Sequence, residues 1–279
     1  MVQYTNINGK LVAAADTHPA YNNSAFRHGY GLFETMLFKD GHIQLKQYHW
    51  DRLFTGMKQL HFPIPVNMGT VWLENEIKRT VEKNGLEKLC RVRLQVYAIS
   101  NGLLDIRTQN PEFIIECFPL DPSTTTLNEN GLIIGIAEGL QKSPDAIANL
   151  KTSNSLIYAV AAQQANEHKW NDALILNTSG HIIESTIANI FWIKDNSIYT
   201  PPLSSGCIAG VMRRFIIATL ADKGIGVQEK ELSKEILLSA DEVFLTNAIK
   251  GIKWVSDLEN TKFSLPILTK QLYQQLQKP

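Results

Sequence analysis

The sequence predicts an α/β protein in two domains, and three observations carry that expectation. Its 279 residues lie near the length at which one hydrophobic core stops growing and chains divide. Strand-like alternating runs are interleaved with stretches that repeat apolar residues at helical spacing. Between the halves, "PLDPSTTTLNEN" (119–130) is rich in Pro, Ser, Thr and Asn and has no apolar period, which marks an interdomain linker. The expected division is a smaller α/β domain over 1–118, the linker over 119–130 and a larger α/β domain over 131–279.

Each element follows from its residues. "YTNINGKLVAA" holds two short strand-like runs around Asn8-Gly9, a pair that tolerates the positive φ angles of a type I′ hairpin turn. "GLFETMLFKDGHIQL" repeats the device at Asp40-Gly41. Tyr48, Leu53, Met57 and Leu60 recur at helical spacing, which predicts a helix over 46–60. A second helix is expected over 66–83, stopped by Asn84-Gly85. "CRVRLQVYA" (90–98) and "EFIIECF" (112–118) read as strands. The second half starts with the strand "GLIIGIA" (131–137) and a helix over 153–168. The strands "DALILN" (172–177) and "ANIFWI" (188–193) come next, then a Pro/Gly/Ser loop over 201–206 and a helix over 209–223. The strand "GVQEKEL" (226–232), a short helix over 234–238, the strand "EVFLTN" (242–247) and a C-terminal helix complete the chain.

Composition removes several function classes. Hydrophobic residues make up 44% and charged residues 19%, which is ordinary for a globular protein. Lys+Arg and Asp+Glu both number 27, so no net field favours nucleic acid or an anionic membrane. A small molecule is the expected partner. Cys90, Cys117 and Cys207 are far apart and form no C-x-x-C, so neither a disulfide framework nor a zinc site is expected. Reduced cysteines suit a cytoplasmic protein. "MVQYTNINGK" has no basic segment followed by an apolar one, so no signal peptide is expected. Apolar runs such as "FIIATLA" (215–221) are too short to cross a bilayer. The chain lacks G-x-x-x-x-G-K-[ST], G-x-G-x-x-G, H-E-x-x-H and G-x-S-x-G. His42, His49 and His61 have no carboxylate at metal-ligand spacing, so no metal is expected.

Four stretches point to one chemistry. "ANLKTSNSL" (148–156) sets Lys151 between a polar turn and the start of a helix, where Thr152 or Ser153 is placed to cap. Its bland alternative is a solvated lysine. "HIIESTIANIFW" (181–192) sets Glu184 among apolar strand residues; it is either a surface charge at a strand end or a buried anion for a protonated ring nitrogen. "LSSGCIAGVMRRF" (203–215) is a glycine-punctuated loop entering a helix. The N–H groups of Val211 and Met212, with the helix dipole, suit an anion. "YHWDRL" (48–53) puts Arg52 on a helix, as an exposed arginine or as a bidentate clamp on phosphate. A lysine for an aldehyde, a carboxylate for a pyridine nitrogen, a helix-start cradle and an arginine are the set that pyridoxal 5′-phosphate needs. A free lysine has a pKa of about 10.4, so burial and the cofactor must lower it for work as a base.

The order of these stretches resembles the class IV (fold type IV) pyridoxal-phosphate enzymes. The resemblance is carried by "HGYGLFET" (28–35), "HWDRL" (49–53), "NLKTSNSL" (149–156), "ESTIANIFW" (184–192), "GVMRRF" (210–215) and "ADEVFLTNAIKGI" (240–252). It implies the two-domain D-amino-acid aminotransferase-like fold with the cofactor at the domain interface, and a homodimer. By resemblance Lys151 bonds the cofactor aldehyde and Glu184 faces the pyridine nitrogen. Arg52 and the amides of Val211 and Met212 would hold phosphate, with Asn247-Ala248 where the family's transaminases carry a phosphate-binding Gly-Thr. His28 and Tyr30 fall in the substrate-binding segment; Arg93 either points into the site or serves the strand. Those transaminases also place a tyrosine five residues after the lysine, and here that position is Leu156. Both features resemble the 4-amino-4-deoxychorismate lyases of the family, which release pyruvate and 4-aminobenzoate for folate synthesis by β-elimination. A transaminase of branched-chain or D-amino acids is the alternative. Asn23-Ser24 and the loop "AISNGLLDIRTQ" (98–109), with Arg107, depart from the family pattern.

Overall fold

The computed structural model describes residues 3–18, 20–65, 68–99, 110–259 and 261–277. The chain forms two compact units, one of Met1–Thr124 with Leu150–Ser155, the other of Thr125–Asn149 with Leu156–Pro279.

The first unit is an antiparallel sheet with two helices against it. β1 (Tyr4–Ile7) and β2 (Lys10–Ala13) form a hairpin through Asn8 and Gly9, at φ +51° and +85°. α1 (Ser24–His28) is capped by the Asn23 side chain, which accepts from the Ala25 and Phe26 N–H groups. β3 (Gly31–Lys39) turns into β4 (His42–Ile43) through Asp40 and Gly41, again at positive φ. α2 (Lys46–Gln59), α3 (Thr70–Lys83), β5 (Leu89–Tyr97) and β6 (Glu112–Pro119) follow. The sheet order is β2-β1-β6-β5-β3-β4. Leu53 and Met57 of α2 and Leu73, Ile77 and Val81 of α3 share one core with Met36, Val92, Leu94 and Ile115 of the strands. The helix expected to begin at 66 begins at Thr70; residues 66–67 are outside those described.

The second unit is built on β7 (Leu132–Lys142), α4 (Leu156–Glu167), β8 (Asp172–Asn177), β9 (Ile182–Ser185), β10 (Asn189–Lys194) and β11 (Ser197–Thr200). Then come α5 (Val211–Ala221), β12 (Val227–Glu229), α6 (Lys234–Leu238), β13 (Glu242–Asn247), β14 (Gly251–Leu258), β15 (Thr261–Lys262) and α7 (Ile267–Gln277). The strand order is β12-β11-β10-β13-β14-β7-β8-β9, and β9 also pairs with β10. That second pairing closes six strands into a ring. Ile134, Leu174, Ile182, Ile190, Leu245 and Val255, one from each of the six, pack together inside it. Phe191, Phe244 and Ile252 face the other way, onto Ile216 of α5 and Leu272 of α7. Ala161 and Ala165 let α4 approach Ala137, Ala173 and Ile175 closely. No helix among the described residues is long and apolar enough to cross a membrane.

Two differences from the sequence reading bear on the site. The strand expected over 131–137 continues to Lys142. It contains a bulge, in which the six residues from Ile136 to Gln141 oppose the three from Leu174 to Leu176, and such bulges re-aim the side chains beyond them. The sequence reading also puts Lys151 in the 131–279 domain, whereas 150–155 groups with the first unit. The cause is backbone pairing with β3, described below.

Gly135 on β7 shows how tightly the second unit packs. A Cβ there would lie 2.2 Å from a ring carbon of Trp170. Gly135→Ala is expected to lower the unfolding free energy by about 1–3 kcal/mol, the usual cost of overpacking. Urea titration should show a lower midpoint at unchanged slope; an unchanged midpoint would mean the Trp170 ring yields without cost.

Candidate active site

Lys151 is held by its backbone. The Phe33 N–H donates to the Lys151 carbonyl (3.0 Å) and the Ser153 N–H to the Gly31 carbonyl (2.8 Å), with Leu32 and Thr152 in antiparallel bridge register. The segment is thus an extra short strand along β3. Thr152 and Ser153 therefore do not cap the helix, which begins only at Leu156; the Ser153 hydroxyl instead accepts from Gln95 Nε2 at 3.0 Å. Gly31 is required here, because a Cβ would meet Ser153 Oγ at 2.7 Å and the Ala25 methyl at 2.8 Å. The Lys151 Nζ lies 4.3 Å from the Phe33 ring centroid, within cation–π range.

The same ring carries Arg93, whose guanidinium carbon is 4.3 Å from its centroid. Arg93 Nη2 donates to Gln95 Oε1 (2.8 Å) and Nε lies 3.8 Å from Glu116. Among the described residues its buried Nη1 has no hydrogen-bond partner. Arg93, Gln95, Ser153 and Lys151 therefore form one continuous group on β5, β3 and the added strand. Tyr30 has its hydroxyl bonded to the Leu60 carbonyl and its ring 5.0 Å from that of Phe62, an anchor between elements. His28 is exposed at the end of α1. Arg107 lies outside the described residues.

Arg52 is gripped rather than loose. Its Nε and Nη2 donate to the two oxygens of Glu34 at 2.8 and 2.6 Å, a bidentate fork. Glu34 is 1% exposed, and His49 Nδ1 lies 2.6 Å from its second oxygen. Burial alone would raise the Glu34 carboxyl, but the charges of Arg52 and His49 and their hydrogen bonds bring it down to about 2. The sequence reading did not single out Glu34 or the role of His49, although both lie within the quoted "HGYGLFET" and "HWDRL".

In the second unit Glu184 is 2% exposed and lies at the seam that closes the ring, in register with Asn189 and Ile175. It is therefore buried and is not a strand-end surface charge. Its Oε1 accepts from Lys142 Nζ (2.9 Å) and Tyr158 OH (2.7 Å); its Oε2 accepts from the Ile208 N–H (2.8 Å). Asn189 Nδ2 donates to the Ile208 carbonyl (2.9 Å), so both backbone polar groups of Ile208 are fixed to the seam. A Cβ on Gly210 would fall 1.8 Å from Asn189 Oδ1, which reserves the position before α5 for glycine. That residue supplies no side chain to cap α5, and the first-turn N–H groups of a helix, here those of Val211 and Met212, have no acceptor within it. Asn247 Oδ1 accepts from the Ile249 (3.0 Å) and Lys250 (2.7 Å) N–H groups, so this side chain closes the β13–β14 turn beside the apolar Ala248. The hydroxyl of Thr246 is buried, with no partner among the described residues. Lys142 and Tyr158 gave no sequence signal, because they meet Glu184 only through the bulge in β7 and the first turn of α4.

Each unit by itself offers groups of the types that pyridoxal 5′-phosphate needs. The first unit holds an amine beside an aromatic ring and a preset arginine. The second holds an anion with acceptor capacity left on one oxygen and a glycine-led helix start. Among the described residues no group of three His, Cys, Asp or Glu could hold a metal ion.

The model of a family described as "Amino-transferase class IV" matches residues 31–258. An aminodeoxychorismate lyase of Vibrio harveyi is 29% identical over 262 residues, covering 92% of this chain and 94% of that protein. One of Bacillus subtilis (strain 168) is 28% identical over 262 residues, covering 92% and 87%. The solved branched-chain aminotransferase of Thermoproteus uzoniensis with norvaline has a TM-score of 0.88 at 22% identity, over 98% of this chain and 93% of that one; at that identity the likeness concerns the fold.

The Glu34 cluster has a measurable acid limb. Its folded value of about 2 lies below the ordinary 4.5, so its contribution is complete above 4.5 and is lost as pH falls towards 2. The wild type should lose about 3 kcal/mol across that window from this group. Glu34→Gln should lack that component in urea titrations at stepped pH; an equally steep fall in the variant would contradict the assignment.

Proposed function

The chain belongs to the class IV aminotransferase family, and on that premise we propose that it is a pyridoxal 5′-phosphate-dependent lyase that converts 4-amino-4-deoxychorismate to 4-aminobenzoate and pyruvate. The observation that carries the choice of lyase is the β13–β14 turn. The family's transaminases carry a Gly-Thr there; here Asn247 is committed to its own turn and Ala248 has no hydroxyl. Leu156, in the position of their tyrosine, brings no phenol and is 72% exposed.

In this reading Lys151 holds the cofactor aldehyde, Glu184 accepts from its ring nitrogen, and Arg52 with the Val211 and Met212 amides takes its phosphate. The bound cofactor supplies an electron sink for the cleavage. Lys151 Nζ takes the proton from the ring carbon that bears the substrate amine. The bond from the neighbouring ring carbon to the enol-ether oxygen breaks, and its electron pair leaves with enolpyruvate. The ring becomes aromatic, and enolpyruvate gains a proton on carbon to give pyruvate. One proton carrier is enough for this chemistry, and neither water nor an amino acceptor is consumed. The unpartnered Nη1 of Arg93 suits a substrate carboxylate.

Purified protein with 4-amino-4-deoxychorismate should yield pyruvate and 4-aminobenzoate in equal amounts. Lys151→Ala should reduce the rate by about three orders of magnitude or more, as expected when a group that both bonds the cofactor and moves the proton is removed. Absence of both products, with an amino acid converting the cofactor to its pyridoxamine form and 2-oxoglutarate reversing it, would make the protein a transaminase.

The same reading has the enzyme acting as a cytoplasmic homodimer. Leu156 and Val160, at i and i+4 on α4, are 72% and 36% exposed; a second copy would cover this apolar stripe. The three buried thiols, Cys90, Cys117 and Cys207, are unpaired, as suits a reducing compartment. Sedimentation should give twice the chain mass; a monomer at all concentrations would overturn the dimer alone.

A further inference from the structure

Glu184 is held from three elements at once. Lys142 Nζ, Tyr158 OH and Glu184 Oε1 form a closed triangle, with Nζ to OH at 2.7 Å, Nζ to Oε1 at 2.9 Å and OH to Oε1 at 2.7 Å. Lys142 comes from the end of β7, beyond the bulge; Tyr158 comes from the first turn of α4. The Ile208 N–H, from the loop before α5, takes one direction of the other oxygen. An ionised carboxylate offers about four acceptor directions. Two on Oε1 and one on Oε2 are occupied, so one direction on Oε2 remains.

We propose that Lys142 and Tyr158 are positioning residues that keep Glu184 ionised and turned so that its last acceptor direction meets the ring N–H of the cofactor. The inference rests on the reading of Glu184 given under Proposed function. Burying a carboxylate at 2% exposure without a counter-charge favours its neutral form, and a neutral acid cannot accept from a ring N–H in the same way. Lys142 supplies that counter-charge before any ligand arrives; its side chain is 14% exposed. The other titratable groups facing Glu184 are neutral near pH 7. Burial first, and then the charge of Glu184, push the Tyr158 hydroxyl far above its ordinary range and the Cys207 thiol up to about 12. Asn189, from β10, carries no charge. Among the described residues, Lys142 is the cation hydrogen-bonded to this carboxylate.

The test is the pH dependence of cofactor affinity, read from quenching of tryptophan fluorescence by pyridoxal 5′-phosphate. Wild type, Lys142→Met, Lys142→Arg and Tyr158→Phe are compared from about pH 8.5 to about pH 5.5, the range into which loss of a counter-charge moves a buried carboxylate. Titrations of the cofactor itself cancel in the ratio of variant Kd to wild-type Kd. For Lys142→Met that ratio should rise by about tenfold or more as pH falls, because Glu184 becomes protonated. Lys142→Arg should keep the ratio near one and flat. Tyr158→Phe should weaken binding by about three- to tenfold, as for one lost hydrogen bond to a charged group, again without pH dependence. A ratio for Lys142→Met that is constant with pH would overturn the proposal by reducing Lys142 to a packing role. Should that variant fail to fold, a steep pH dependence in Lys142→Arg would overturn it equally. Failure of the wild type to bind the cofactor would strike the functional reading instead.

Discussion

A carboxylate removed from water must be matched by charge and hydrogen bonds, or it gives up its proton chemistry. Glu184 is such a group, and much of the second unit is arranged around it. It lies on β9 at a residue paired with both β8 and β10, the contact that closes the ring. Its partners arrive from β7, α4 and the loop before α5. The demand of one side chain for partners therefore ties together the ring, the helix on its flank and the start of the next helix. The glycine at 210 belongs to the same arrangement, since the Asn189 amide that holds the Ile208 carbonyl occupies the space a side chain would need.

The first unit solves a different problem, that of fixing a long, mobile lysine. It does so through the backbone, by making 150–155 an added strand on β3. A side chain of four methylenes keeps its reach while its origin is as fixed as the sheet. Arg52 is fixed by the opposite means, a buried carboxylate that grips the guanidinium from behind. Both devices place a cation at low conformational cost, which is what binding an anionic ligand needs.

Local chemistry made much of this legible in the sequence. The hairpin turns at Asn8-Gly9 and Asp40-Gly41 adopt the positive φ angles their residues favour, and the helix over 234–238 and the strand over 242–247 match residue for residue. Lys151, Glu184 and Arg52 stood out as an amine, an acid and a guanidinium, types that a pyridoxal cofactor needs, in stretches whose order resembles one enzyme family. What was hidden is non-local. β14 is buried along most of its length, so it shows no alternation, and β11 is only four residues long. Thr152 and Ser153 look like helix caps by type, but sheet pairing took precedence. Lys142 and Tyr158 are ordinary residues until a bulge and a helix start bring them to Glu184, and no spacing along the chain encodes that meeting.

The central claim is that the amine of residue 151, and no other, bonds the cofactor aldehyde. The most direct measurement is reductive trapping of the cofactor-loaded protein with borohydride, followed by peptide mass mapping. The account predicts one peptide carrying the added cofactor mass, with the modification on Lys151. Modification of a different lysine, or a yellow protein with no covalently labelled peptide, would contradict it.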